Sequence, residues 1–193
     1  PERRLHSVHA LFLRGGDGIQ KIDYDVETIR DGRTFCQRRV TGSQNAKSIF
    51  DLTASFHTPE AGPGVISPPP PRYLEKPENL PTFEECMMEV GPIFGEEWSH
   101  GPRPVEYRIE HAPWSPAGPS ETGGINFWFR ARRPLSDEPE VHAAILAYMS
   151  DDCVADTLLV PHGRTWGTEG TMLVSLDHAM WFHSSARADE WVY

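Results

Sequence analysis

Met172-Leu173-Val174-Ser175-Leu176-Asp177-His178-Ala179-Met180-Trp181-Phe182-His183 is the stretch on which the fold turns. It is apolar and aromatic, free of glycine and proline, and reads as one long strand. Asp177 sits in its middle. Taking a carboxylate out of water costs free energy unless partners compensate. The acid is therefore either a solvent-facing residue of a half-buried strand or a group held at a pocket wall to orient or deprotonate water. On a regular strand it shares a face with Leu173, Ser175 and Ala179, opposite Val174, Leu176 and Met180. Pattern alone leaves both readings open.

The same texture occurs near the start. Val8-His9-Ala10-Leu11-Phe12 echoes Asp177-His178-Ala179-Met180-Trp181, with His-Ala-apolar-aromatic recurring at an offset of 169 residues. A repeat this long points to a duplicated domain rather than a solenoid. It sets Asp177 against Val8 of the other copy, so one half alone carries the acid. It also predicts that the strands after the first copy have counterparts after the second. Trp191 to Tyr193 reads as their beginning, so the second domain is expected to be truncated.

Those first-copy strands are legible. Leu5–Leu13 is short and apolar, and Gly15-Gly16-Asp17-Gly18 forces a turn. Ile22, Tyr24, Val26 and Thr28 alternate with Asp23, Asp25 and Glu27, the period of a half-buried strand. Asp31-Gly32 reads as a hairpin turn whose central residues take positive φ. A return strand follows over Thr34–Val40, then a polar turn near Gln44-Asn45, then alternation through Phe50, Leu52, Ala54 and Phe56. This is an antiparallel meander.

Between Pro59 and Pro104 lie eleven of the eighteen prolines, including the run Pro68–Pro71, which reads as a linker in extended polyproline form. It holds one helix candidate. Thr82 and Glu85 have capping-box spacing, Phe83, Met87 and Val90 form a stripe, and Gly91-Pro92 ends it. Alternation returns at Val105–Ile109 and Ile125–Phe129. Val141–Met149 is continuously apolar and fits a strand or a helix equally. A helix is expected through Cys153–Leu159, stopped by Pro161 and Gly163.

A net charge of −10 argues against a general nucleic-acid partner, whose phosphates need a basic face. It leaves room for a small anion held by local arginines: Arg38-Arg39 and Arg130, Arg132 and Arg133 are candidates, with plain solvated surface the simpler reading. Three cysteines, Cys36, Cys86 and Cys153, without a CxxC pair, predict neither a disulfide framework nor structural zinc and fit a reducing, intracellular compartment. No apolar run approaches the ~20 residues of a membrane span. His6 and His9, and His178 and His183, are separated by odd numbers of residues, which on strands places them on opposite faces and argues against a metal site. No cysteine sits in a nucleophile turn and G-x-S-x-G is absent, so each cysteine reads as structural.

Leu176 to His183 resembles the (S/T)-(I/L)-D-H-(S/A)-M-W-F-H stretch of the type II acyl-CoA thioesterases, the bacterial TesB group and its peroxisomal relatives. Arg4–Arg14, Tyr24–Gly32, Lys47–Phe56, Trp128–Arg132, Tyr148–Asp151 and Pro161-His162-Gly163 agree with the same family in order. The resemblance implies an α+β double hot-dog, two antiparallel sheets each wrapping a helix, incomplete here at both ends. Residues 1–61 would be the remainder of the N-terminal hot-dog, 62–103 the linker, and 104–193 the C-terminal hot-dog. It implies hydrolysis of fatty acyl-CoA to acid and coenzyme A, with Asp177 as the catalytic aspartate. The hydroxyl residue and the glutamine that complete the family's trio are expected after Tyr193, so this chain alone is expected to be weak or inactive. No cofactor, metal, nucleic acid or membrane is implied. Acyl-CoA is the expected partner, further homo-oligomeric association is expected, and the compartment is cytoplasm or peroxisome. A non-catalytic acyl-CoA binding module and a hot-dog dehydratase or hydratase are the alternatives.

Overall fold

The computed structural model describes residues 3–62, 64, 74–90, 103–112, 115, 117–118, 120–121, 124–152, 154, 156–162, 164 and 169–193. Among these are strands β1 (Arg4–Phe12), β2 (Asp23–Asp31), β3 (Phe35–Gln44), β4 (Lys47–His57), β5 (Val105–His111), β6 (Asn126–Ala131) and β7 (Asp177–Trp181). The helices are α1 (Phe83–Val90), α2 (Pro139–Ser150) and α3 (Asp156–Leu159). Among the described residues no helix is long and apolar enough to cross a membrane. Contacts divide the chain into two units, Pro1–Ser67 with Ser175–Ser185, and Pro68–Val174 with Ala186–Tyr193.

In the first unit the expected meander closes into a five-stranded antiparallel sheet of order β2-β3-β4-β1-β7. Alternation divides it into two faces. Val8, Ala10, Val40, Leu52 and Ala54 share one, and Ala10 and Ala54 are buried there. His9, Arg39, Asp51, Thr53 and, from β7, Asp177 share the other, as the register requires.

The turns differ from the reading of the sequence in one respect. Positive φ falls at Asn45 (49°) and Ala46 (58°), the two-residue loop between the paired Gln44 and Lys47, and not at Asp31-Gly32. That is the twist-matched primed hairpin. The β2–β3 loop is longer, closing at Asp31↔Cys36. Its glycine serves by lacking a Cβ, which would stand 2.9 Å from the Phe35 carbonyl oxygen. Buried Gln44 pins the 17–20 turn, accepting from the Asp17 amide and donating to the Asp17 and Gln20 carbonyls.

The long strand expected over Met172–His183 is five residues, Asp177–Trp181. A strand lasts only as long as its ladder. β7 pairs with β1 from Ser7↔Trp181 to Leu11↔Asp177, and the Phe12 amide closes the end on the Leu176 carbonyl. Beyond Phe12 the amides of Leu13 and Arg14 donate to the Ile49 carbonyl of β4, so β1 leaves nothing for the residues before Asp177 to pair with. Met172, Val174 and Leu176 are accordingly exposed.

The pairing also corrects the register of the internal echo. His9 lies opposite Ala179 and Ala10 opposite His178, so His9 and His178 point to opposite faces, as do Val8 and Asp177. A two-fold axis normal to a sheet keeps each side chain on its own face, and the side-chain period is two. An odd offset of 169 therefore cannot be a structural repeat in this pairing. An even one can: an axis through the His9–Ala179 pair relates Ser7 to Asp177 and Leu11 to Trp181.

In the second unit β5 and β6 pair antiparallel, and β5 buries alternate residues, Val105, Tyr107 and Ile109. The capping box opens α1: the Glu85 carboxylate accepts from the Thr82 amide at 2.7 Å, and the Glu85 amide donates to the Thr82 hydroxyl at 3.1 Å. Phe83 and Cys86 turn into the core. The side chains of Met87 and Val90, and Gly91-Pro92 and Pro68–Pro71, lie outside the described residues. The ambiguous apolar run is helical: α2 buries His142, Leu146 and Met149, a spacing of four and three. Of the expected helix over Cys153–Leu159 the structure describes Asp156–Leu159, with Cys153, Ala155 and Gly163 outside the described residues. Val192 forms a bridge to Phe129 of β6, so the segment read as a beginning strand does meet a sheet edge.

Candidate functional site

Asp177 opens β7, directly opposite Leu11 of β1. Its diagonal neighbour on the same face is His9, two positions off register, which is within reach for a long side chain. His9 Nε2 lies 3.0 Å from Asp177 Oδ2. With the carboxylate as acceptor, the proton belongs on Nε2 and the imidazole donates. Oδ1 makes no hydrogen bond among the described residues. The two side chains are 55% and 59% exposed, so Asp177, whose exposure the sequence pattern left open, faces solvent. The carboxylate stands on the polar face, tied at one oxygen and open at the other. Such a group can accept a proton from water at a reproducible position.

Further along that face, Asp51 is engaged by Arg39 through two hydrogen bonds to Oδ2, at 2.9 and 2.7 Å. Three of the other arginines named as phosphate candidates are matched in the same way, while Arg133 makes no ion pair among the described residues. Arg38 pairs with Asp31 at 2.8 Å, Arg132 with Glu84, and Arg130 with Glu106 at 2.9 Å while its guanidinium stacks over Trp191. Burial opposes ionisation of Glu106, but hydrogen bonds from Arg108 and Arg130 outweigh it and hold its carboxyl below the ordinary range. These arginines read as the solvated, charge-matched surface, not as a cradle for an anion. Cys36 and Cys86 are buried, as structural cysteines would be.

A second cluster belongs to the second unit. Asp189 accepts from Arg187 Nε and Nη2 and from the Leu135 amide, and these bonds, led by Arg187, lower its carboxyl to about 2. Beside it, buried His142 accepts the Ala188 amide on Nδ1 at 3.1 Å. This cluster fastens residues 187–190 to α2 and has the character of a structural clasp.

Sequence reading singled out Asp177 and missed its partner. It weighed His9 only as a metal ligand beside His6. No local signal could have paired it with a residue 168 positions away; the β1–β7 register was needed.

The acyl-CoA thioesterase family matches residues 105–193, and the N-terminal domain of acyl-CoA thioesterases matches residues 1–57. Human acyl-coenzyme A thioesterase 8 is 32% identical over 97% of this chain and 61% of its own length. Acyl-CoA thioesterase 2 of Haemophilus influenzae is 30% identical over 98% of this chain and 67% of its own. Among solved structures, an acyl-CoA thioesterase II from Mycobacterium marinum superimposes with a TM-score of 0.73 at 33% identity, over 98% of this chain and 66% of that one. A hot-dog protein from Alicyclobacillus acidocaldarius, 17% identical with a TM-score of 0.69 over 94% of this chain and 60% of that one, agrees in fold. The chain thus spans about three fifths of the length of the human relative.

Proposed function

Because the chain belongs to the acyl-CoA thioesterase family and carries the hot-dog fold, we propose that the protein hydrolyses fatty acyl-CoA thioesters and that Asp177 is its general base. The observation that carries the role is the carboxylate at the start of β7, held at Oδ2 by His9 with Oδ1 open. In the reaction Oδ1 takes a proton from a water as its oxygen bonds to the thioester carbonyl carbon. The carbon–sulfur bond then breaks, and the proton passes from Asp177 to the departing thiolate. The products are a free acid and coenzyme A, and the carboxylate is regenerated. Neither a metal nor a cofactor enters this scheme.

The substrate is met in cytoplasm or peroxisome in this reading. Further association of copies is favoured by β2, an edge strand exposed along its whole length.

Asp177→Asn keeps the size of the side chain and removes the base. In the intact protein it should reduce release of coenzyme A thiol to a small residual rate while leaving circular dichroism unchanged. Undiminished turnover in a folded variant would refute the assignment, and thermal stabilisation by acyl-CoA with no hydrolysis in the parent would favour a binding module instead.

A further inference from the structure

We propose that His9 is a positioning residue for the reaction: its Nε2–H fixes the rotamer of Asp177 so that Oδ1 meets the attacking water. The inference rests on Asp177 being the base and adds a second residue, from the other end of the chain.

Three features of the fold support it. First, the two strands are unequally held. β1 lies between β4 and β7 and is hydrogen-bonded along both edges, whereas β7 is bonded to β1 alone among the described residues and begins at Asp177. A carboxylate on the first residue of a short edge strand has a single backbone bond before it, from the Phe12 amide to the Leu176 carbonyl, and its side-chain torsions have several staggered wells. His9, near the middle of the doubly held strand, is the firmer of the two and fixes the looser one.

Second, the neighbours of His9 leave it no competing acid. Opposite it on β4 is Thr53 and opposite it on β7 is Ala179, both uncharged. The carboxylate diagonal to it on β4, Asp51, is occupied by Arg39, and Glu27 faces Arg39 from β2. Asp177 is therefore the carboxylate within its reach.

Third, the pair is badly placed for a role in stability. Both side chains are more than half exposed, where ion pairs and hydrogen bonds contribute little. Orientation is different, because a base acts only within hydrogen-bond reach of the proton it takes, and small misplacements of reacting groups cost large factors in rate.

The test is made in the intact protein with a long-chain acyl-CoA, thiol release being followed spectrophotometrically. His9→Ala should lower kcat by about 10- to 100-fold with KM changed less than about 2-fold. His9→Gln, whose amide can donate from near the position of Nε2, should recover part of the loss. In an Asp177→Asn background His9→Ala should lower the residual turnover no further, since two groups acting as a unit are not additive. Unchanged kcat in folded His9→Ala overturns the inference, as does a His9→Gln variant no faster than His9→Ala, or an undiminished effect of His9→Ala in the Asp177→Asn background. These outcomes leave the base assignment standing. That assignment fails separately, if Asp177→Asn alone keeps full turnover.

Discussion

His9 and Asp177 are 168 residues apart in the chain and 3.0 Å apart in the fold, Nε2 to Oδ2, although neither is the other's register partner. The diagonal contact joins the first strand of the chain to the last one described, and it does so on the exposed side of the sheet. Its contribution to stability is correspondingly small. His9→Ala should shift the unfolding free energy, measured by urea denaturation, by less than about 1 kcal/mol. A larger loss would mean that His9 holds β7 in place rather than aiming Asp177.

Two backbone positions should respond in opposite directions. Ala46 sits at φ 58° in the β3–β4 hairpin, a region where a Cβ is strained and glycine is not. Ala46→Gly also completes the preferred Asn-Gly pair of that turn. It should stabilise the first unit by about 0.5–1 kcal/mol, read as a higher Tm.

Gly32→Ala should do the reverse. The new Cβ would lie 2.9 Å from the Phe35 carbonyl oxygen, and a backbone atom in a closed hairpin loop cannot swing aside as a side chain can. A loss of roughly 1–3 kcal/mol is expected, and an unchanged denaturation midpoint would show that the loop relaxes freely.

The α1 capping box is reciprocal, so its two halves should not add. The Glu85 carboxyl is held below its ordinary range chiefly by the Thr82 amide, and the Thr82 hydroxyl accepts the Glu85 amide in return. Thr82→Ala and Glu85→Ala should each cost about 1 kcal/mol. The double variant should cost clearly less than their sum in the same denaturation assay.

That capping box was legible in the sequence because every atom it needs lies within four residues. The meander β1–β4 was legible for a similar reason, since period-two alternation and turn residues are local signals. What stayed hidden was set by distant partners. Met172 to Leu176 has the composition of a strand but no ladder, because after Phe12 the amides of Leu13 and Arg14 both go to the Ile49 carbonyl of β4. The His-Ala echo matched by letters at an offset that the pleat forbids. Val141–Met149 is apolar on all sides, so its periodicity could not separate helix from strand, and α2 is defined by which of its residues are buried. At the site, Asp177 announced itself by being an acid in an apolar run. The same run left its exposure open, and its partner was legible only through strand register.

Acid should weaken the clasp at Asp189, and the sign follows from its carboxyl. In the folded protein this group lies at about 2, below the ordinary 3.8, mainly through the Arg187 hydrogen bonds and then the Leu135 amide. A carboxyl lowered by folding adds stability at pH values above its unfolded value, and the contribution is lost as pH falls through the folded one. Between about pH 4 and pH 2 the unfolded chain takes up the proton while the folded chain still resists it. Asp189→Asn cannot titrate, so it lacks that contribution at every pH. The parent should therefore be the more stable of the two near pH 6, and the gap in urea midpoint should close on the way to pH 2. The carboxyls of Glu106 and Glu85 are likewise held below their ordinary range, but they are common to both proteins and drop out of the difference. A gap that stayed constant from pH 6 to pH 2 would show that Asp189 matters through its shape and hydrogen bonds, which asparagine partly keeps, and not through its charge beside Arg187.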